Sequence, residues 1–317
     1  MMNIVVASDE NYSIHMLTLL ISIGENNNKV NAINVYIFDG GINNSTQTKI
    51  QNLSKKYSNM NFVFIEMTEE KIYSMLGESI KKDRSLLTFA RIFIPQFVDG
   101  DRALYLDVDA IVLGNLKSLY DLDLMGKAIA GVCDTNPLQR HLNVGLNKND
   151  IYINAGMILF NLKKCREIDF TGMCLNFIKS KNGSIDAMDQ GTINGVLGSK
   201  DMIQAVSPKY NVLTTFFQMN SNKIKRFYNL NNYYTDDEID NAKRNPVFVH
   251  FTPNFTTRPW IKNCKHPLKD EYWKYREMYN SKKVLDEDKR SFKLKTIGFL
   301  FYHIPFSIFN FLVKVKL

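Results

Sequence analysis

Asn3-Ile4-Val5-Val6-Ala7-Ser8, then Asp9-Glu10-Asn11-Tyr12, then an apolar stretch from Ser13 to about Gly24, decide how this chain is read. The first six residues form a short, β-branched run without helical period, which reads as a buried strand. The polar break after it sits where such a strand ends. Ser13 can accept from the first free backbone N–H groups, so it is the expected cap of the helix that follows.

The same unit recurs outward from this start. Ile33 to Phe38 reads as a second strand, Asn44 or Ser45 to Tyr57 as a polar helix, and Asn61 to Ile65 as a third strand. Strands that alternate with helices predict an α/β fold around a largely parallel sheet. Ligands of such sheets bind beyond the carboxyl ends of strands, which draws attention to Asp9 and Asn11. Further on, Ile151 to Phe160 reads as a strand leading into a helix from Leu162 to Ser180. Asp189 to Leu197 reads as a short helix and Pro246 to Phe251 as a late strand. There is no internal repeat and no Gly/Ser linker.

Arg102-Ala103-Leu104-Tyr105-Leu106 is a further strand that runs directly into Asp107-Val108-Asp109. Two carboxylates two residues apart on extended backbone project to one side. Hard divalent cations take such oxygen ligands and often share them with substrate phosphates. Asp-x-Asp alone is a weak signal, and Asp121-Leu122-Asp123 in this same chain reads as a solvated decoy. Aspartyl-nucleophile phosphatases also place Asp-x-Asp after a strand. In them the motif lies near the N-terminus and continues differently from Ala110-Ile111 here.

Several fragments, in order, resemble the family 8 glycosyltransferases. Ala7-Ser8-Asp9-Glu10-Asn11-Tyr12 resembles the nucleotide-binding opening, and Thr88-Phe89-Ala90-Arg91 the arginine helix. Leu104 to Asp109 resembles the metal motif. Asn154-Ala155-Gly156-Met157 with Phe160-Asn161-Leu162 resembles the donor-sugar segment, and Asp189-Gln190-Gly191 the reaction-center pair. His250 followed by Arg258-Pro259-Trp260 resembles the closing segment. The resemblance implies a single Rossmann-like nucleotide-diphospho-sugar transferase domain of the GT-A type over residues 1–280.

It also implies the residue roles. Asp107, Asp109 and His250 would hold Mn²⁺, or Mg²⁺. The UDP-sugar donor would meet Ala7, Asp9, Asn11, Tyr12, Arg91, Val108, Asn154, Ala155, Asp189, Gln190 and Arg258, together with the metal aspartates. Arg91, Asn154, Asp189 and Gln190 would form the catalytic set. The family retains anomeric configuration. An amide at Gln190 is a poor nucleophile, so same-face attack with charge stabilisation by its carbonyl oxygen is implied. Blander readings stand beside these: a structural ion pair for Arg91, a turn or cap for Asn154 and Asp189, and packing for Trp260. A catalytically silent nucleotide- or glycan-binding protein of the same fold is the alternative to the enzyme. The closing stretch departs from the family pattern, being longer and carrying Arg258 in place of a lysine. A guanidinium keeps the phosphate-clamping charge.

Composition bounds the rest. The 317 residues, 45% hydrophobic, suit a folded globular chain. Cys133, Cys165, Cys174 and Cys264 form no CxxC pair, and the start Met1 to Val6 carries no signal-peptide pattern, so a cytoplasmic protein with reduced thiols is expected. The net charge of +8 is carried by the segment from Arg258 to Leu317, which argues against a nucleic-acid groove. Residues 281–317 read as a separate basic, aromatic tail. Ile297 to Val315 is nearly all apolar, with Phe299, Phe301, Phe306, Phe309 and Phe311. Lys289, Arg290, Lys293 and Lys295 precede it, and Lys314 and Lys316 close it. Pro305 interrupts the run, so a peripheral anchor on the inner membrane surface is expected rather than a span. Packing of this tail on the domain is the other reading. A glycan or glycolipid acceptor fits the membrane-anchored case.

Overall fold

The computed structural model describes residues 1–77, 80, 86–279 and 282–316, with side chains through Lys314. The expected boundary at 280/281 and the Lys316 side chain lie outside the described residues. Among the described residues, ten strands fall into two sheets. The strands are β1 (Met2–Ser8), β2 (Ile33–Asp39), β3 (Met60–Glu66), β4 (Arg102–Leu106), β5 (Ala110–Val112), β6 (Ile129–Cys133), β7 (Ile153–Asn161), β8 (Ile203–Ala205), β9 (Val212–Leu213) and β10 (Phe248–His250).

Seven strands form the main sheet in the order β3-β2-β1-β4-β7-β6-β8. Pairing is parallel throughout except that β7 runs against both β4 and β6. The sheet is therefore largely parallel, as expected, and six strands end at one edge. The reversed strand begins at that same edge: Leu106 pairs with Met157, and Cys133 with Ile153. Asn154 and Ala155 thereby arrive beside the carboxyl ends of β4 and β6. A buried run such as Ile153 to Phe160 has both faces covered, and its apolar pattern is the same in either direction.

The small sheet has β10 between β5 and β9. His250 pairs with Ala110 on one side and Leu213 on the other, which sets the imidazole next to Asp109. Local chemistry corrects two expectations, the cap of the first helix and the continuity of the one after Leu162, and supplies a cap to the helix expected at Asn44. The helix Ser13–Asn26 starts without a side-chain cap, because Asp9 already caps the short 3-10 turn Glu10–Tyr12 ahead of it. The helix Asn44–Lys56 is capped by Asn43, whose side-chain oxygen Oδ1 accepts from Thr46 N. The helix expected from Leu162 to Ser180 is two, Leu162–Glu167 and Phe170–Ser180. Asp169 between them is left-handed (φ 51°) and caps the second, and a left-handed residue cannot continue an α-helix.

The tail forms two helices, Phe292–His303 and Phe306–Lys316, parted at Ile304-Pro305. One face packs on the domain. Phe309 is fully buried, Phe301 stacks on Phe255 at 4.2 Å, and Lys314 Nζ donates to the carbonyl of Arg226 at 2.9 Å. Burying one such phenyl ring contributes about 2–3 kcal/mol. The other face leaves Phe292, Leu294, Phe299, Ile308 and Phe311 exposed. No helix among the described residues is long and apolar enough to cross a membrane.

Candidate active site

Three of the six strands that end at the shared edge deliver an aspartate to the site: Asp9 after β1, Asp107 after β4 and Asp134 after β6. Asp107, Asp109 and His250 offer ligand atoms that all lie within 4.8 Å of one another. His250 Nε2 stands 3.1 Å from Asp109 Oδ1 and 3.8 Å from Asp107 Oδ2. The other carboxylate oxygens are held from behind. Asp107 Oδ1 accepts from Tyr105 Oη at 2.8 Å and Arg91 Nη2 at 3.0 Å. Asp109 Oδ2 accepts from Arg258 Nη2 at 2.7 Å. The triad thus presents two carboxylate oxygens and one imidazole nitrogen, with the carboxylates oriented by outer partners. This donor set fits Mn²⁺, which accepts oxygen and imidazole together.

Electrostatics favour the charged form of each group, so a cation entering the triad would displace the proton held on His250. Burial works against the Asp109 carboxylate, but His250 and Arg258 outweigh it and hold its pKa well below the usual range. Burial likewise disfavours the His250 imidazolium, and Asp109 with Asp107 overcomes it, so the pKa is raised. Desolvation opposes the charge on Arg91, yet Asp107 and Asp189 raise its pKa above the ordinary value.

Arg91 is 5% exposed and ties the site together. It lies in a helical segment of the 3-10 type, Leu86–Phe93. Its guanidinium sits over the Tyr105 ring at 4.4 Å, reaches the Ala155 carbonyl at 2.6 Å through Nη1, and pairs with Asp189 Oδ2 at 3.0 Å through Nε. Burial pushes the Asp189 carboxyl up to about 6 despite that arginine.

Gln190 is fixed at both ends. Its carbonyl oxygen accepts from Ala155 N at 3.0 Å, and its amide donates to Asp134 Oδ2 at 2.7 Å. The oxygen expected to face developing positive charge is therefore engaged by the backbone here. Asn154 is buried; its oxygen accepts from Gly156 N at 3.0 Å and Asn211 Nδ2 at 2.9 Å, and its amide reaches Asp134 Oδ1 at 3.3 Å. Burial raises the Asp134 pKa against the donors around it.

Two cavities meet at this cluster. One, of about 420 Å³, is lined by Ala7, Asp9, Tyr12, Val108 and Arg258 with the metal aspartates. The other, of about 600 Å³, is lined by Asp134, Asn154, Ala155, Asp189 and Gln190. Thr88, Arg91 and Asp107 belong to both walls. Nearly every residue expected at the site thus stands together. Asn11 is the exception: it is exposed, outside both linings, and touches the site only by donating to Asp9 Oδ2 at 3.1 Å. Trp260 is a packing residue, 5% exposed, with its ring centroid 3.9 Å from that of His15 at a tilt of 31°. The decoy is a surface turn, with Asp121 on Lys117 and Asp123 accepting from Met125 N. Asp134 was absent from the sequence reading, and Tyr105 was read only as a strand residue. The signal for Asp134 was available, since it follows an apolar strand as Asp9 and Asp107 do.

A cation site between two polar cavities, beyond the carboxyl ends of a wound sheet, is where α/β enzymes handle phosphate-linked donors. The chain belongs to glycosyl transferase family 8, whose profile matches residues 3–264. It is 26% identical to general stress protein A of Bacillus subtilis, over 86% of this chain and 92% of that protein. It is 24% identical to the lipopolysaccharide 1,2-glucosyltransferase of Escherichia coli, over 91% of this chain and 84% of that one. In fold it matches the galactosyltransferase LgtC, solved with donor and acceptor sugar analogues. The TM-score is 0.70 at 22% identity, covering 87% of this chain and 96% of that structure. The GT-A architecture expected from the sequence is borne out by that likeness.

Proposed function

We propose that this glycosyltransferase moves a hexose, galactose or glucose, from its UDP conjugate to a glycan or glycolipid of the cell surface, with retention of configuration. The observation that carries the reading is the Asp107-Asp109-His250 triad placed between the two cavities. UDP occupies the smaller cavity, with the nucleoside against Ala7, Asp9 and Tyr12 and the diphosphate near Val108 and Arg258. The donor sugar meets Arg91, Asn154, Ala155, Asp189 and Gln190 in the larger one. Mn²⁺, or Mg²⁺ less well, held by the triad neutralises the departing diphosphate.

The chain's own residues do the rest. Arg91 places a fixed positive charge between the leaving group and Asp189. Asp134 holds the Gln190 amide, so the polar wall facing the sugar needs no reorganisation during transfer. The exposed aromatic face of the tail and its lysines seat the enzyme peripherally on the inner face of the cell membrane, near a lipid-linked acceptor.

The test is UDP release by purified protein offered UDP-galactose and UDP-glucose separately, with Mn²⁺ and with chelator. Mn²⁺-dependent release from one donor, lost in Asp109→Ala, is the expected result. UDP binding with no release from either donor would overturn the enzyme reading in favour of a silent binding protein.

A further inference from the structure

Between the tail and the domain lies a third cavity of about 430 Å³, away from the transferase site. Its lining includes Lys265 from the domain, Arg290 and Lys295 from the tail, Asp288, Phe299 and Tyr302. The charges in it do not balance locally. Asp288 is taken by Arg290, through Nε and Nη2 at 3.0 Å each. Glu287, also on the wall, is taken by Lys262. Lys265 and Lys295 then have no acidic partner within ion-pair distance among the described residues. Lys265 Nζ rests over the Tyr302 ring at 4.3 Å. Arg290 Nη1 is buried without an acceptor.

The floor is open because residue 298 is glycine. A Cβ there would stand 2.7 Å from the Phe255 carbonyl oxygen and 3.6 Å from Arg290 Nη1. On the same helix Phe299 is 60% exposed, and Phe292 and Leu294 before it are exposed as well. Cations converging on a cavity beside an exposed aromatic face match the two ends of an amphiphile, an anionic head and an apolar chain.

We propose that this cavity binds the phosphate of an anionic phospholipid headgroup between Lys265 and Lys295, with the acyl chains leaving along Phe299. The inference rests on the membrane reading above and makes it specific: attachment is by a headgroup site as well as by diffuse charge. Because one wall belongs to the domain and the other to the tail, a bound headgroup also clamps the two together.

Flotation of the full chain tests it, with vesicles of phosphatidylcholine alone and with about a third phosphatidylglycerol. The variants are Lys265→Gln/Lys295→Gln and the charge-matched Lys289→Gln/Lys293→Gln, whose residues lie outside the cavity lining. The wild type should prefer anionic vesicles. The cavity variant should lose roughly tenfold or more of that binding while the matched variant loses clearly less. UDP release by both variants should stay at the wild-type rate. Equal losses in the two variants, or none in the cavity variant, would overturn the headgroup site and leave membrane attachment standing. Failure of the wild type to float with either vesicle would overturn attachment itself. Calorimetry with inorganic phosphate and with glycerol phosphate separates the sources of the anion. Binding there without flotation would make the cavity a site for soluble phosphate esters, and the lipid assignment wrong.

Discussion

Tyr105 and Asp107 stand two residues apart at the end of β4, and the phenol of the first holds the carboxylate of the second at 2.8 Å. The bond takes Oδ1 and leaves Oδ2 toward His250, so a fully buried tyrosine decides which oxygen the triad presents. Removing the hydroxyl keeps the ring under Arg91 and deletes only the orienting bond. Tyr105→Phe should weaken Mn²⁺ binding by about tenfold, read by calorimetry or by the paramagnetic signal of free Mn²⁺. Unchanged affinity would show that Arg91 alone orients Asp107.

Gly156 leaves the room in which His250 sits. A Cβ there would fall 2.2 Å from His250 Cε1 and 2.4 Å from Nδ1. Gly156→Ala should push the imidazole off the triad and lower metal affinity by more than about tenfold. Circular dichroism should remain that of the wild type, because the β7 ladder is made by backbone groups.

Asp134 acts on the reaction through the residues it holds. With one oxygen in place of two, Asp134→Asn can no longer accept from both Gln190 and Asn154. Turnover should fall by roughly 10- to 100-fold as the sugar wall loses its fixed geometry. The UDP dissociation constant should not change, since Asp134 lies outside the smaller cavity. A matching loss of UDP affinity would place its effect on the fold instead.

His266 gives the protein an acid-sensitive element. It is 2% exposed, and burial lowers its pKa to about 4 from an ordinary 6.5. Between those values the unfolded chain binds a proton that the folded chain refuses, so stability falls as pH drops from about 6.5 toward 4. The loss amounts to roughly 2–3 kcal/mol for this group. Urea unfolding of His266→Gln should show a flatter pH dependence through that window than the wild type. An unchanged slope would assign the acid sensitivity to other groups.

What the sequence disclosed follows from how far each signal reaches. Asp107 and Asp109 were legible because an apolar strand leads straight into them, and His250 because it precedes Arg258-Pro259-Trp260 in family order. Asn154 and Asp189 were legible as family fragments, but the partners each one meets were not. Those contacts depend on β7 running backwards, and an apolar strand carries no mark of direction. The cap of the first helix was misplaced by one short turn, since Asp9 satisfies the 3-10 segment before Ser13 can act. In the tail the run of phenylalanines was plain, but its faces were not. Phe309 is buried and Phe311 exposed only because Phe227 and Phe255 lie under one side of the helix.

The placement of His250 opposite Ala110 has a consequence for how the enzyme comes into being. Two ligands of the triad are made early on the ribosome and the third much later, after β9 has been laid down. A nascent chain that has folded its first strands carries a pair of aspartates and no metal site. The full set of three candidate ligands exists only when synthesis has passed β10. Chains that stall before that point hold two of the three candidate ligands and lack the strand that carries the third.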